Sequence, residues 1–197
     1  MIYEKNQVNC VIFMQTVEVT KRDIEICLNF SSEIIDTQNL FNRFSKSTNI
    51  QKERTFVGKL GEYIFLKYLN SSESITYPEG DMFTIFEGKE NVDEFDFVTK
   101  DNKKVEIKVA SKPFHKRIMV PIDQFQMKKD FYVGIKLNSK LDNNDNIIKE
   151  SISKAEIYGF IERDILEKTR SKNFGEGYCK SIELSKLKNI KDLIVKF

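Results

Sequence analysis

The sequence predicts an α/β fold: a central mixed β-sheet flanked by helices. Two long stretches of helical periodicity come first, a run of short β-rich segments follows from about residue 82 to 137, and strands then alternate with short helical patterns. With 197 residues the chain has the length of about one domain. A chain of that size removes roughly 70% of its unfolded surface from water, so a real core is expected. We read 1–197 as a single domain, with a strand and helix in 1–48, a core at about 50–137 and an extension over 138–197.

Each element has a local reason. Val8 to Val19 is rich in β-branched residues and reads as a β segment. Thr20 then resembles an N-cap with Asp23 in the first turn, and Ile24, Cys27, Leu28, Ile34, Ile35, Leu40, Phe41 and Phe44 predict a helix from Lys21 to about Phe44. Val57, Leu60, Ile64, Phe65 and Tyr68 keep helical spacing and predict a second helix from about Gln51 to Leu69. Asn70 to Gly80 is a loop by its Ser, Pro and Gly content, and Met82 to Phe86 a short strand. Glu94 to Thr99 alternates, turns at Lys100-Asp101-Asn102, and continues into the alternating strand Val105 to Val109. Ile118 to Ile122 is a strand, Asp123 to Lys129 a short helix or turn, and Phe131 to Leu137 a buried strand. Beyond the polar connection Leu141 to Asn146 come a strand (Ala155 to Ile161), a helix (Glu162 to Thr169), a strand (Tyr178 to Leu184) and a helix from Ser185, its cap, to Val195. The Asp142 to Asn146 stretch looks superficially like a calcium loop but lacks the central Gly and terminal Glu, so it reads as a turn. Tyr, Phe and Met fall at core spacing and are expected inside, with no stacking platform for bases.

Composition excludes several classes. The 32 Lys and Arg against 30 Asp and Glu leave +2, so neither a polybasic arm nor an acidic tail is present. No apolar run approaches the ~20 residues of a membrane span, and the first residues lack a secretory h-region, so a cytoplasmic location is expected. Cys10, Cys27 and Cys179 are too few and too scattered for a disulfide framework or zinc knuckle, and the one histidine, His115, rules out a His-rich metal site. The near balance hides a contrast: Asn70 to Thr99 carries eight acids and one base, −7, whereas Lys100 to Lys129 carries nine bases and three acids, +6.

Where the blocks meet, strand parity brings chemistry together. Phe95 and Phe97 share a face, leaving Asp96 on the other; Val105, Ile107 and Val109 share a face, leaving Glu106 and Lys108 opposite. A three-residue loop, Lys100 to Asn102, pairs Thr99 with Lys103 and so sets Asp96 beside Glu106. Two carboxylates a strand apart make a hard oxygen site suited to Mg²⁺. An ammonium beside them can hold the attacking water and neutralise charge building on a phosphate.

Asp96, nine residues, then Glu106-Ile107-Lys108 resembles the signature of the PD-(D/E)XK nuclease superfamily, which includes type II restriction endonucleases, junction resolvases and repair nucleases. The resemblance covers about Gln51 to Leu137 and implies a restriction-endonuclease-like core, with Mg²⁺ as cofactor and Mn²⁺ able to substitute. It also implies that Asp96 and Glu106 bind the metal while Lys108 works with them in catalysis. The family commonly adds an acid from the preceding helix, and Glu62 in Gly58-Lys59-Leu60-Gly61-Glu62 matches it as a catalytic and metal-binding residue; the two glycines are expected to let that helix approach the sheet. No proline precedes Asp96, and Asp81 or Asp93 are rivals for the upstream acid. Gln124 or Gln126 matches a Gln or Lys that often follows on the next helix.

Alternating acid-x-Lys triplets also arise from solvated strand faces, and Glu87-Gly88-Lys89 and Asp101-Asn102-Lys103 match in turn-like sequence, but only the triplet at Glu106 is flanked by valines. The basic segment after the strand offers Lys112, His115, Lys116 and Arg117, with Gln124, as DNA contacts. The implied function is a Mg²⁺-dependent DNA endonuclease, most simply a type II restriction enzyme cutting duplex DNA as a homodimer. The alternatives are a structure-specific nuclease (junction resolvase, repair or mobile-element nuclease) and a non-catalytic nucleic-acid-binding module.

Overall fold

The computed structural model describes residues 14–37, 48–71, 77–80, 82–84 and 96–197. In chain order the elements are β1 (Gln15–Glu18), α1 (Lys21–Thr37), α2 (Thr48–Ser71), β2 (Phe97–Val98), β3 (Lys104–Ala110), β4 (Arg117–Pro121), α3 (Ile122–Phe125) and β5 (Phe131–Leu137). They continue with β6 (Lys140–Leu141), β7 (Ile147–Ile148), β8 (Lys154–Glu162), α4 (Arg163–Glu167), β9 (Lys172–Asn173), β10 (Tyr178–Glu183) and α5 (Lys191–Ile194). The fold is α/β. Its main sheet is mixed, with strand order β1-β8-β5-β3-β2. Among the described strands only β3 and β5 run parallel, and the chain crosses over between them through β4 and α3.

The two faces of β3 divide the molecule. Val105 and Ile107, with Val133, Ile135 and Leu137 of β5, pack on Phe56, Leu60 and Ile64 of α2. The opposite face, through Ala110, Tyr132 and Ile161, is covered by Ile118 and Val120 of β4, Phe125 of α3 and Leu166 of α4. A second sheet, β4-β10-β9, completes that layer. The start of α1 follows the expected capping logic: the Asp23 amide donates to Thr20 Oγ1 at 3.2 Å, and the Thr20 amide to Asp23 Oδ2 at 2.9 Å. Buried Asp23 also accepts from Lys67 of α2 at 2.6 Å, which locks the two helices together.

Two expectations need correction. Met82 and Phe83 lie in a turn and not a strand, with Phe83 against Phe30 and Tyr63, while Ile85 and Phe86 lie outside the described residues. The terminal helix is only Lys191–Ile194, and Ser185 sits in a 3-10 turn, capping no α-helix. There the chain is held extended by a two-way backbone bridge between Phe160 and Lys188 (3.0 and 2.8 Å), so the helix starts only after Asn189, whose side chain accepts from the Lys191 amide. The Asp142 to Asn146 turn is as expected, closed by Asp142 accepting from Asn144 and Asn146, but it is tighter than a loose connection because β6 and β7 pair across it. Expected positions 8–13 of the first strand and 38–44 of the first helix lie outside the described residues. No helix among the described residues is long and apolar enough to cross a membrane.

Candidate functional site

The β2–β3 hairpin has the expected register. Phe97 pairs with Val105 and Val98 with Lys104, and the Thr99 amide closes the three-residue loop on the Lys103 carbonyl at 3.0 Å. Asn102 takes the left-handed conformation (φ 58°) that ends such a loop, which Asn tolerates at little cost. β2 lies on the outer side of β3 and pairs with it only through Phe97 and Val98, so beyond Val105 that outer side of β3, the one away from β5, has no strand beside it among the described residues. Asp96 fills that gap. Its amide donates to the Val105 carbonyl at 3.1 Å, and its Oδ2 accepts the Ile107 N–H at 2.6 Å, a donor that a longer β2 would have taken.

The vacated edge is where side chains from both sides of the sheet meet. Glu106 and Lys108 project from β3, and Lys108 Nζ bridges Glu106 Oε1 (2.8 Å) and Gln124 Oε1 (2.9 Å). Glu62 reaches the same place from α2 and is paired with Lys59 at 2.6 Å. It lies close enough for its charge to act on Asp96. Burial first, then the charges of Glu62 and Glu106, push the Asp96 carboxyl well above the ordinary aspartate range, against the pull of the Ile107 N–H and Lys108. Glu106 goes the other way: burial would raise it, but the Lys108 ammonium, and after it Lys129, hold it below the ordinary glutamate range.

Lys129 is the member that sequence reasoning missed. It is 2% exposed and sets its ammonium 3.3 Å from Glu106 Oε2, so Glu106 is gripped by a lysine on each oxygen. Buried Lys59 was also missed, although its i,i+3 spacing to Glu62 was a usable signal. For Lys129 there was none: Lys128 and Lys129 look alike in sequence, and only the fold turns one inward. Three carboxylates therefore face three ammonium groups. Among the described residues no group of three or more His, Cys, Asp or Glu is arranged to hold a metal ion. The rivals Asp81 and Asp93 lie outside the described residues.

The glycines of α2 divide in role. A Cβ at Gly61 would strike Val109 Cγ2 and stand 3.3 Å from Ile107 Cγ2, so this glycine does carry the helix onto β3. Gly58 does not: among the described residues nothing lies within 4 Å of its would-be Cβ.

The expected DNA contacts separate as well. Gln124 joins the site through Lys108, whereas Gln126 is exposed beyond α3. Arg117 is bound to Glu183 and Ser181 across β10, and Lys112 donates to the Asp145 carbonyl at 2.7 Å. Lys116 is exposed. His115 accepts the Lys112 amide on Nδ1 (3.3 Å) and is held below the ordinary histidine range by burial, then Lys136 and Lys112. Lys136 ties this loop down, donating to the carbonyls of Lys112, Pro113 and His115. The expectation that aromatics fill the interior fails at Phe114, Phe174 and Tyr178, which are exposed.

Set against known proteins, the chain matches no family model, no curated protein and no solved structure.

Proposed function

We propose that this chain is a Mg²⁺-dependent DNA endonuclease of the PD-(D/E)XK type that hydrolyses phosphodiester bonds. The observation that carries the reading is the edge of β3 that no described strand covers, where Asp96, Glu106 and Lys108 from one hairpin meet Glu62 from α2. Carboxylate oxygens are the donors Mg²⁺ prefers. Burial and the charges of Glu62 and Glu106 raise Asp96, and a divalent cation would relieve that repulsion. Asp96, Glu106 and Glu62 would therefore be the holding residues, although the three are not arranged here as a ready metal-binding group. Bound there, Mg²⁺ would neutralise a scissile phosphate and acidify the attacking water.

The chain's own groups have distinct tasks in this reading. Lys108 orients the attacking water and steadies charge developing on phosphorus, with Gln124 fixing its ammonium. Lys129 keeps Glu106 ionised and in place. The simplest biological setting is a cytoplasmic type II restriction enzyme that cuts duplex DNA as a homodimer. A second reading has its own observation: Glu62 and Glu106 are already neutralised by Lys59, Lys108 and Lys129, as in a nucleic-acid-binding module with a structural charge cluster.

Incubating the protein with plasmid, phage and branched DNA plus Mg²⁺ or Mn²⁺ separates these readings on a gel. Discrete fragments support the restriction enzyme, and selective cutting of branched DNA makes it a structure-specific nuclease. DNA left intact under every divalent ion leaves only the binding module.

A further inference from the structure

The β9–β10 hairpin is poorly explained by packing. Phe174 opens its four-residue tip and Tyr178 directly follows it; they are 44% and 63% exposed. Lys168, Arg170 and Lys172, also exposed, lead up to the tip. From Lys168 to Lys180 the segment holds four bases and one acid, Glu176, for +3. Lys180 is spent internally on the carbonyls of Glu167 and Thr169, which leaves the other three outward.

The hairpin also stands beside the candidate site. At its tip Glu176 pairs with Arg54 of α2 at 2.5 Å. Arg54 is eight residues before Glu62, about 12 Å along the helix axis, and no described residue lies within 4 Å of where a Cβ on the intervening Gly58 would stand. At its root, Cys179 lies near enough to feel the charges of Asp123 and Lys108. A strand running from the hairpin tip past Gly58 would therefore arrive at the carboxylates.

We propose that the β9–β10 hairpin is a contact surface for a nucleic-acid strand with unpaired bases. Phe174 and Tyr178 stack on bases, and Lys168, Arg170 and Lys172 meet the phosphates. The inference rests on reading the acidic site as one that acts on a polynucleotide, and within that reading it favours the structure-specific nuclease over the duplex-cutting restriction enzyme: the substrate is single-stranded or locally opened. Exposed ring faces among cations suit unpaired bases, because a duplex buries its base faces in its own stack.

The test is anisotropy of a labelled 20-mer single strand and its blunt duplex in EDTA, so that binding is read without cleavage. The single strand binds more tightly. Phe174→Ala and Tyr178→Ala each weaken it roughly tenfold, the scale of one lost base stack, and both dequench a 2-aminopurine placed in the strand. Tyr178→Phe keeps the ring and the affinity, and Ile148→Ala, an exposed apolar residue on β7, changes nothing. Duplex preference, no binding of either DNA, or wild-type affinity in the Phe174→Ala/Tyr178→Ala double variant overturns the proposal. The nuclease reading fails separately. Stacking-dependent binding with DNA left intact under Mg²⁺ sinks the nuclease and spares the hairpin, whereas cleavage with unchanged affinity in the double variant does the reverse.

Discussion

Gly58 and Gly61 lie three residues apart in α2, and alanine should act on them in opposite senses. Both substitutions gain helix propensity, about 0.8–1 kcal/mol each. At Gly58 no described residue opposes the gain, because none stands within 4 Å of the new methyl. At Gly61 the methyl meets Val109 Cγ2, and Ile107 Cγ2 lies only 3.3 Å away on a buried strand, so the neighbours cannot simply swing aside. Overpacking of this kind costs about 1–3 kcal/mol. The propensity gain is common to both variants, so their difference isolates the clash, and Gly58→Ala is the more stable by about 1–3 kcal/mol. For a chain of this size each kcal/mol moves Tm by roughly 2–4 °C. Thermal and urea melts followed by circular dichroism read it directly. Equal gains at both positions would refute the claim that α2 is seated on β3 through Gly61, and with it the account of how Glu62 reaches the site.

The remaining predictions concern charge. Asp96 holds its proton more tightly folded than unfolded, so it lowers stability as pH rises from the ordinary aspartate range through its raised value. Asp96→Asn keeps an acceptor for the Ile107 N–H and removes the charge; its Tm exceeds wild type at pH 8, the gain vanishes in acid, and cleavage is lost. Lys129→Met leaves Glu106 with Lys108 alone and destabilises by about 3 kcal/mol, the lower end for breaking a buried pair. Loss of Lys129 also moves the acid limb of the pH–rate profile upward, since one of the two ammonium groups holding Glu106 down is gone. His115 is the one histidine, so its ring proton shift is unambiguous by NMR. It stays neutral to lower pH than a free histidine, and the stability its neutral form supports is lost as pH falls below the ordinary histidine range. A midpoint at or above 6.5 would refute the burial of its ring beside Lys136.

How much of this was legible follows from the kind of signal. The β3 and β5 strands were readable because one alternates and the other is an apolar run, and the hairpin register followed from loop parity, as Phe97 against Val105 shows. Asp96 was placed by that same parity, but its grip on the Ile107 N–H was not foreseeable, because it depends on β2 stopping short. Lys129 and Lys128 are neighbours with one chemistry, and a turn with Lys128 at φ 55° decides which is buried. Arg117 read as a free cation until β10 brought Glu183 alongside it from 66 residues away. Phe174 and Tyr178 looked like core residues because spacing reports a face and not what covers it.

The central claim is that the β3 edge cuts phosphodiester bonds, and supercoiled plasmid nicking under Mg²⁺ tests it most directly. Wild type should convert the plasmid to open-circle and linear forms, EDTA should stop it, and Lys108→Ala and Glu106→Gln should each slow it by about 10²-fold or more while retaining their fold. Plasmid left supercoiled by wild type, or cut equally fast by both variants, would contradict the account.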